Sequence, residues 1–252
     1  MGLDAAGSRS SSRPRASTAP IAWRRVVPVA CSANSRYDSA VPRFDYSCFI
    51  SYSYSHGEGD LVRGFVGQFK VALKDELETL IAGRKPFIDD DIPYGAKWDP
   101  YLATALCHSV CMVVIYTPVY GQKDFCRREF KAMEDLEVRR LALLKGAAPP
   151  ALGFIIPVVM RGFRQLPPPI GPRQAVDFSQ FTLADVQMNR HPGFAPKIKE
   201  VAERIADHFW RLQALEDEAC KQCDGFAMPE PPPETAWRDP GRASWAPAFV
   251  NR

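Results

Sequence analysis

The residues best suited to chemistry fall in three short stretches. In Asp124-Phe125-Cys126-Arg127-Arg128-Glu129-Phe130, Glu129 is an acid among basic and apolar neighbours at the expected start of a helix. A carboxylate so placed can steady positive charge developing in a bound molecule. It equally suits an acid that only complements the helix macrodipole, with Asp124 upstream as the cap. Asp89-Asp90-Asp91 offers carboxylates to Mg2+, but nothing nearby completes the ligand set, and the triad reads as a solvated loop start. Cys220 and Cys223 form one CxxC. A structural zinc needs four ligands, and neither a second CxxC nor a close His pair accompanies this one, so no metal site is expected. His56, His108, His191 and His208 are scattered and suggest no nucleophile–base pair. The chain has no phosphate-cradling Walker loop and no GxGxxG.

Alternating elements must position these residues. Residues 46–53 (YSCFISYS) read as a strand entering a polar turn that contains His56, Gly57 and Gly59. Val62, Phe65, Val66, Phe69, Leu73, Leu77 and Leu80 recur at spacings of three and four, one apolar helical face that Gly83 can end. Residues 85–88 form a short strand, and a helix over residues 99–108 leads to the continuous apolar run 109–117, a strand covered on both faces. A helix over 125–144, an apolar strand over 152–160, a short strand over 174–178 and a last amphipathic helix carrying Ile198, Val201, Ile205, Phe209 and Leu212 follow. Five strand–helix alternations predict a doubly wound five-stranded parallel α/β sheet with helices on both faces. Ligands of such sheets bind beyond the carboxyl ends of the strands, here the loops after residues 53, 88 and 117 and the helix start near Phe125. Pro157 resists, because a strand interior needs the donor that proline lacks.

Composition bounds the rest. An apolar share of 46% and a charged share of 24% are ordinary for a globular chain. A net charge of +3, with basic residues scattered among acids, argues against a nucleic-acid binder. No stretch approaches the ~20 apolar residues of a membrane span. The seven cysteines are an odd count, and Cys48, Cys107 and Cys111 sit in or beside apolar segments, so all are expected as reduced, buried thiols in a reducing compartment. Residues 1–43 are rich in Arg and Ser and read as a disordered tail, with an organellar transit segment as the alternative. Met1-Gly2 opens like a myristoylation signal, but Ala6 stands where Ser or Thr is needed. Residues 44–214 are the expected domain, and residues 215–252, with Pro229, Pro231, Pro232 and Pro233, read as a Pro-rich disordered tail.

Three stretches together resemble the TIR (Toll/interleukin-1 receptor) domain family in its bacterial style. Phe49-Ile50-Ser51-Tyr52-Ser53 is similar to that family's FISYS opening. The run from Ile88 through Asp89, Asp90, Asp91, Ile92, Pro93 and Tyr94 to Trp98 is similar to its long loop after the second strand. The stretch Asp124 to Phe130 resembles its WCxxEF element, with Phe125 in place of the usual Trp. The resemblance implies a flavodoxin-like TIR fold over residues 44–214. It also implies an NAD+ glycohydrolase or cyclase in bacterial defence or stress signalling, activated by self-assembly, with Glu129 as the catalytic residue. NAD+ would then be the substrate, and no cofactor is implied. Ser53, Tyr54, Trp98 and Phe125 carry over as substrate-contacting positions, Trp98 as a face for stacking a ring. The family also contains non-enzymatic interaction modules that signal by homotypic assembly, often without the glutamate, and that remains the alternative. A cytoplasmic protein with a separately encoded sensor or effector partner, no nucleic acid and no membrane is the corresponding expectation. A response-regulator receiver would need Asp at the end of the third strand, where Thr117-Pro118 stands.

Overall fold

The computed structural model describes residues 44–54, 61–145, 152–182 and 187–238. The expectations for residues 1–43, for the turn with His56, Gly57 and Gly59, and for residues 239–252 lie outside the described residues. The elements are β1 (Tyr46–Tyr52), α1 (Leu61–Glu78), β2 (Lys85–Phe87), α2 (Trp98–Cys107), β3 (Met112–Tyr116), α3 (Asp124–Leu143), β4 (Ile155–Val159), β5 (Val176–Asp177), α4 (Phe194–Leu212) and α5 (Glu216–Lys221). The strands make one parallel sheet in the order β2-β1-β3-β4-β5, the doubly wound arrangement that strand–helix alternation predicts.

Strand periodicity sorts the side chains into two cores. Cys48, Ile50 and Tyr52 of β1 face α1 and α4, packing with Phe65, Phe69, Val201 and Ile205. Phe49 faces α2 and α3, with Leu102, Leu106, Phe130 and Met133. Ser51 shares that second face, and a polar side chain there needs a partner. β3 is buried along its whole length, which is why its sequence is a continuous apolar run. Helix α1 ends before Gly83, whose φ of 82° is open to glycine without strain.

Pro157 sits inside β4, opposite Val114 of β3, and costs little for a geometric reason. Phe178 donates to the Val159 carbonyl, so the odd residues of β4 turn their backbone groups towards β5. The absent N–H of Pro157 would point below the first residue of β5, where the Gln174 carbonyl accepts instead from Arg204 at 3.3 Å.

Three expectations are corrected. Asp124 does not cap α3: Lys123 occupies the cap position without a side-chain bond, and Asp124 is the first helical residue, paired with Arg127 at 2.7 Å. Glu129 therefore lies in the second turn, beyond the strongest pull of the macrodipole. The cysteines are not all thiols, because Cys107 and Cys223 form a disulfide across a Cα–Cα distance of 5.6 Å. Cys48, Cys111, Cys126 and Cys220 are free and buried.

The chain after Leu215 is not an unpacked tail as far as Arg238. Glu216 at the start of α5 accepts from the Phe44 N–H at 2.7 Å and from Arg84 at 2.9 Å, closing the carboxyl-terminal part onto β1. The Pro-rich run then crosses α3 and seats Trp237 in the core. Prolines bring carbonyl acceptors and no N–H to satisfy, and two arginines of α3 donate to those carbonyls.

Candidate functional site

The strand order reverses between β1 and β3, and ligands of open α/β sheets bind beyond the carboxyl ends of the strands at such a switch point. Ser53 and Thr117, the residues just beyond the two ends, touch through their hydroxyls at 3.2 Å. Below them, Ser51 Oγ donates to Glu129 Oε2 at 2.5 Å, tying β1 to the second turn of α3. The Tyr120 hydroxyl lies 2.6 Å from Ser51 Oγ and reaches the Cys126 carbonyl at 3.3 Å. This chain of hydroxyls serves either protonation state. With Glu129 ionised, Tyr120 donates to Ser51 and Ser51 to the carboxylate. With Glu129 protonated, every donor can turn the other way, ending on the Cys126 carbonyl.

Glu129 is 3% exposed. Burial pushes its pKa up to about 8; Asp89 adds to the rise, while the Ser51 hydrogen bond and Arg128 oppose it. Loss of hydration therefore outweighs the one donor the protein supplies, and at neutral pH the group is mainly a neutral acid. A buried carboxyl with so sparse a partner set, at the switch point of an open sheet, is a candidate functional group.

The aspartate triad is divided, not uniformly solvated. Asp90 pairs with Arg63 of α1 at 2.5 Å, and Asp91 pairs with Lys70 at 2.7 Å while accepting from the Ile88 N–H at 3.1 Å. Asp89 turns inward, and its Oδ1 has no hydrogen-bond partner among the described residues. Burial raises its pKa, with Asp90 second. Asp89 was missed as a site residue. The available signal was three acids in a row beside an apolar strand, where one of them had to face the sheet.

Of the other expected site residues, two come together beyond the end of β1 and one is on the loop side of α2. The Tyr54 and Phe125 rings pack with centroids 5.1 Å apart, Tyr52 lies 5.7 Å from Tyr54, and the Arg63 guanidinium covers Tyr54 at 5.6 Å. Ser53 is buried beside Thr117, a brace between strands more than an open contact. Trp98 is the first residue of α2 and is 44% exposed, and among the described residues its ring pairs with no other aromatic ring. Its neighbour Asp99 pairs with Arg128 of α3 at 3.0 Å.

The TIR domain family model matches residues 49–189, which takes in β1, the aspartate loop and all of α3. The chain belongs to the TIR domain family. That membership makes it a signalling domain with a flavodoxin-like α/β fold, and it brings homotypic TIR–TIR interaction into view as the family's habit of association. None of the curated proteins compared with the chain matches it. Among the described residues of this TIR domain, no helix is long and apolar enough to cross a membrane, and no three His, Cys, Asp or Glu side chains gather as a metal site.

Proposed function

We propose that this TIR domain is an NAD+ glycohydrolase or cyclase with Glu129 as its catalytic residue, acting in the cytoplasm in bacterial defence or stress signalling. The observation that carries the reading is the Glu129 carboxyl: buried, held by one hydroxyl, raised in pKa, and set beside the Tyr54–Phe125 aromatic pair at the sheet's switch point. The nicotinamide of NAD+ is already cationic, so it departs neutral and needs no acid to protonate it. One carboxylate then does what ordinary glycosidases divide between two. As the C1′–N bond breaks, its electron pair returns to the nicotinamide nitrogen and positive charge gathers on the ribose. Water adds to C1′ and releases a proton, or an adenine nitrogen of the same molecule adds instead.

A cationic ring beside Glu129 favours its ionised form. Substrate binding would thus lower the raised pKa and charge the carboxylate where the ribose needs it. The ribose hydroxyls can replace Ser51 as donors. In this reading NAD+ is substrate, not cofactor, and self-assembly or a separately encoded partner opens the buried carboxyl to it. The test is to incubate concentrated protein with NAD+ and measure nicotinamide release against Glu129→Gln. Release that Glu129→Gln abolishes supports the assignment; equal release from both proteins removes it.

A second reading, a non-enzymatic module that signals by assembly, is favoured by one feature. Residues 92–98 present a fully exposed Tyr94 and the half-exposed Trp98 on the loop before α2. If Pro93→Ala or Trp98→Ala breaks oligomers of a protein that never consumes NAD+, that reading stands.

A further inference from the structure

Residues 222–238 follow α5 with one short 3-10 turn (Glu234–Trp237) as their regular structure, yet they are fastened at several points. Cys223 is bonded to Cys107 at the carboxyl end of α2. Phe226 lies beneath the Arg139 guanidinium at 5.4 Å. The carbonyls of Pro229 and Pro232 accept from Arg128 Nε at 3.0 Å and Arg127 Nε at 2.7 Å. Trp237, 7% exposed, stands 5.5 Å from the Tyr120 ring and 4.9 Å from Phe130. Gly121 makes room for it, because a Cβ there would come within 2.7 Å of the Trp237 Cβ.

The far attachments bracket one residue. Tyr120, Arg127, Arg128 and Phe130 all belong to the turn before α3 or to its first two turns, around Glu129. A continuous line of contacts runs from Trp237 through Tyr120 and Ser51 to the Glu129 carboxyl. While the segment is in place, that carboxyl is buried and spent on Ser51.

We propose that residues 222–238 form a disulfide-anchored latch that holds Glu129 in its closed arrangement, and that reduction of Cys107–Cys223 releases it. This rests on Glu129 being the reactive group. The reductant is a dithiol. Its thiolate attacks Sγ of half-buried Cys223, since Cys107 is shut away in the core. The S–S bond breaks, and Cys107 leaves with the electron pair and takes up a proton. The second thiolate of the reductant then attacks the mixed disulfide, and Cys223 leaves and is protonated. The protein gains two electrons and two protons while the dithiol becomes a disulfide. Cys220, whose thiol burial pushes up to about 12, stays protonated and outside the exchange. With the anchor gone, the segment is held by contacts that open locally, and α3 loses its outer restraint over the turns that carry Glu129.

The experiment uses the full chain, and its labelling readout needs no NAD+. Mass mapping of a non-reducing digest reads the bond, and water-soluble carbodiimide with an amine reads the accessibility of Glu129. Oxidised protein, protein reduced with dithiothreitol, Cys223→Ser and Trp237→Ala are compared, each checked by circular dichroism. Labelling of Glu129 is expected to rise on the order of tenfold on reduction and in Cys223→Ser. Trp237→Ala should raise it with the disulfide intact, because it cuts the line at the other end. Free Cys107 and Cys223 in unreduced protein would overturn the latch, as would equal labelling in all four samples. If labelling responds but neither form releases nicotinamide from NAD+, the latch stands and the enzymatic reading falls.

Discussion

Two of the charged side chains that helix α3 buries, Glu129 near its start and Arg140 near its end, are treated in opposite ways. Arg140, 2% exposed, donates to the carbonyls of Cys107, Ser109 and Val110 at 3.0, 2.8 and 2.9 Å. The Phe44 and Phe154 rings stand 5.2 and 5.8 Å from its guanidinium. Those carbonyls close α2 and lead into β3, so the cation also meets the negative end of a helix. Glu129, as deeply buried, has Ser51 as its hydrogen-bond donor among the described residues and a second buried carboxylate, Asp89, as an electrostatic opponent. Burial lowers the Arg140 pKa to about 10 and raises that of Glu129 to about 8, yet at neutral pH the first remains a cation and the second is mostly neutral. A complete partner set marks a charge that builds the fold; an incomplete one leaves a group whose state a ligand can change.

The comparison breaks most visibly at Arg140. Arg140→Ala strips three buried carbonyls of their donor and opens space between two rings, and is expected to cost on the order of 3–5 kcal/mol. That is a large share of a domain's stability, and urea unfolding measures it. Arg140→Lys should recover only part, since an ammonium cannot span three acceptors in one plane.

Glu129→Gln should do the reverse, sparing the fold and removing the chemistry. The amide oxygen still accepts from Ser51, while nicotinamide release is expected to fall about 10²–10³-fold. The pH dependence of stability separates the two roles. A carboxyl whose folded pKa is raised binds more protons folded than unfolded between about 4.5 and 8. Wild-type stability is thus fully present below the lower value and declines as pH rises to about 8, by on the order of a few kcal/mol. In Glu129→Gln that decline should flatten. Denaturation midpoints at pH 5 and pH 8.5 read the difference.

Much of this was legible in the residues, for reasons that differ by element. The sheet and its helices could be read because β3 is a continuous apolar run and α1 and α4 keep one apolar face. Glu129 was legible as a residue type in a motif, but its burial and its turn of the helix were not, because they depend on where Ser51 falls across the sheet. Asp89 escaped because three adjacent aspartates look alike in a string, and only the positions of Arg63 and Lys70 on α1 decide which two face out. The Cys107–Cys223 pair joins residues 116 positions apart, a closeness that no local pattern encodes.

A smaller effect sharpens the electrostatic half of the comparison. Asp89→Asn removes a charge that opposes ionisation of Glu129, so the Glu129 pKa should move down while remaining above that of a free glutamate, since burial is the larger cause. The acidic limb of a nicotinamide-release profile should shift to lower pH. Asn also removes a charge that burial disfavours at Asp89, so stability should hold or rise.

The smallest effect is expected at Trp98, which tests whether proximity in a family motif implies membership of the site. Trp98 opens α2 and is half exposed. Truncating such a side chain should alter stability by no more than about 0.5 kcal/mol. If Trp98 stacks a substrate ring within one subunit, Trp98→Ala raises KM in dilute protein. If its exposed face meets a second copy, dilute protein is unchanged and the loss appears only at concentrations where wild type assembles. The exposure of the ring favours the second outcome, because an exposed aromatic face is free to meet another subunit. Light scattering beside an NAD+ assay across a dilution series distinguishes the two.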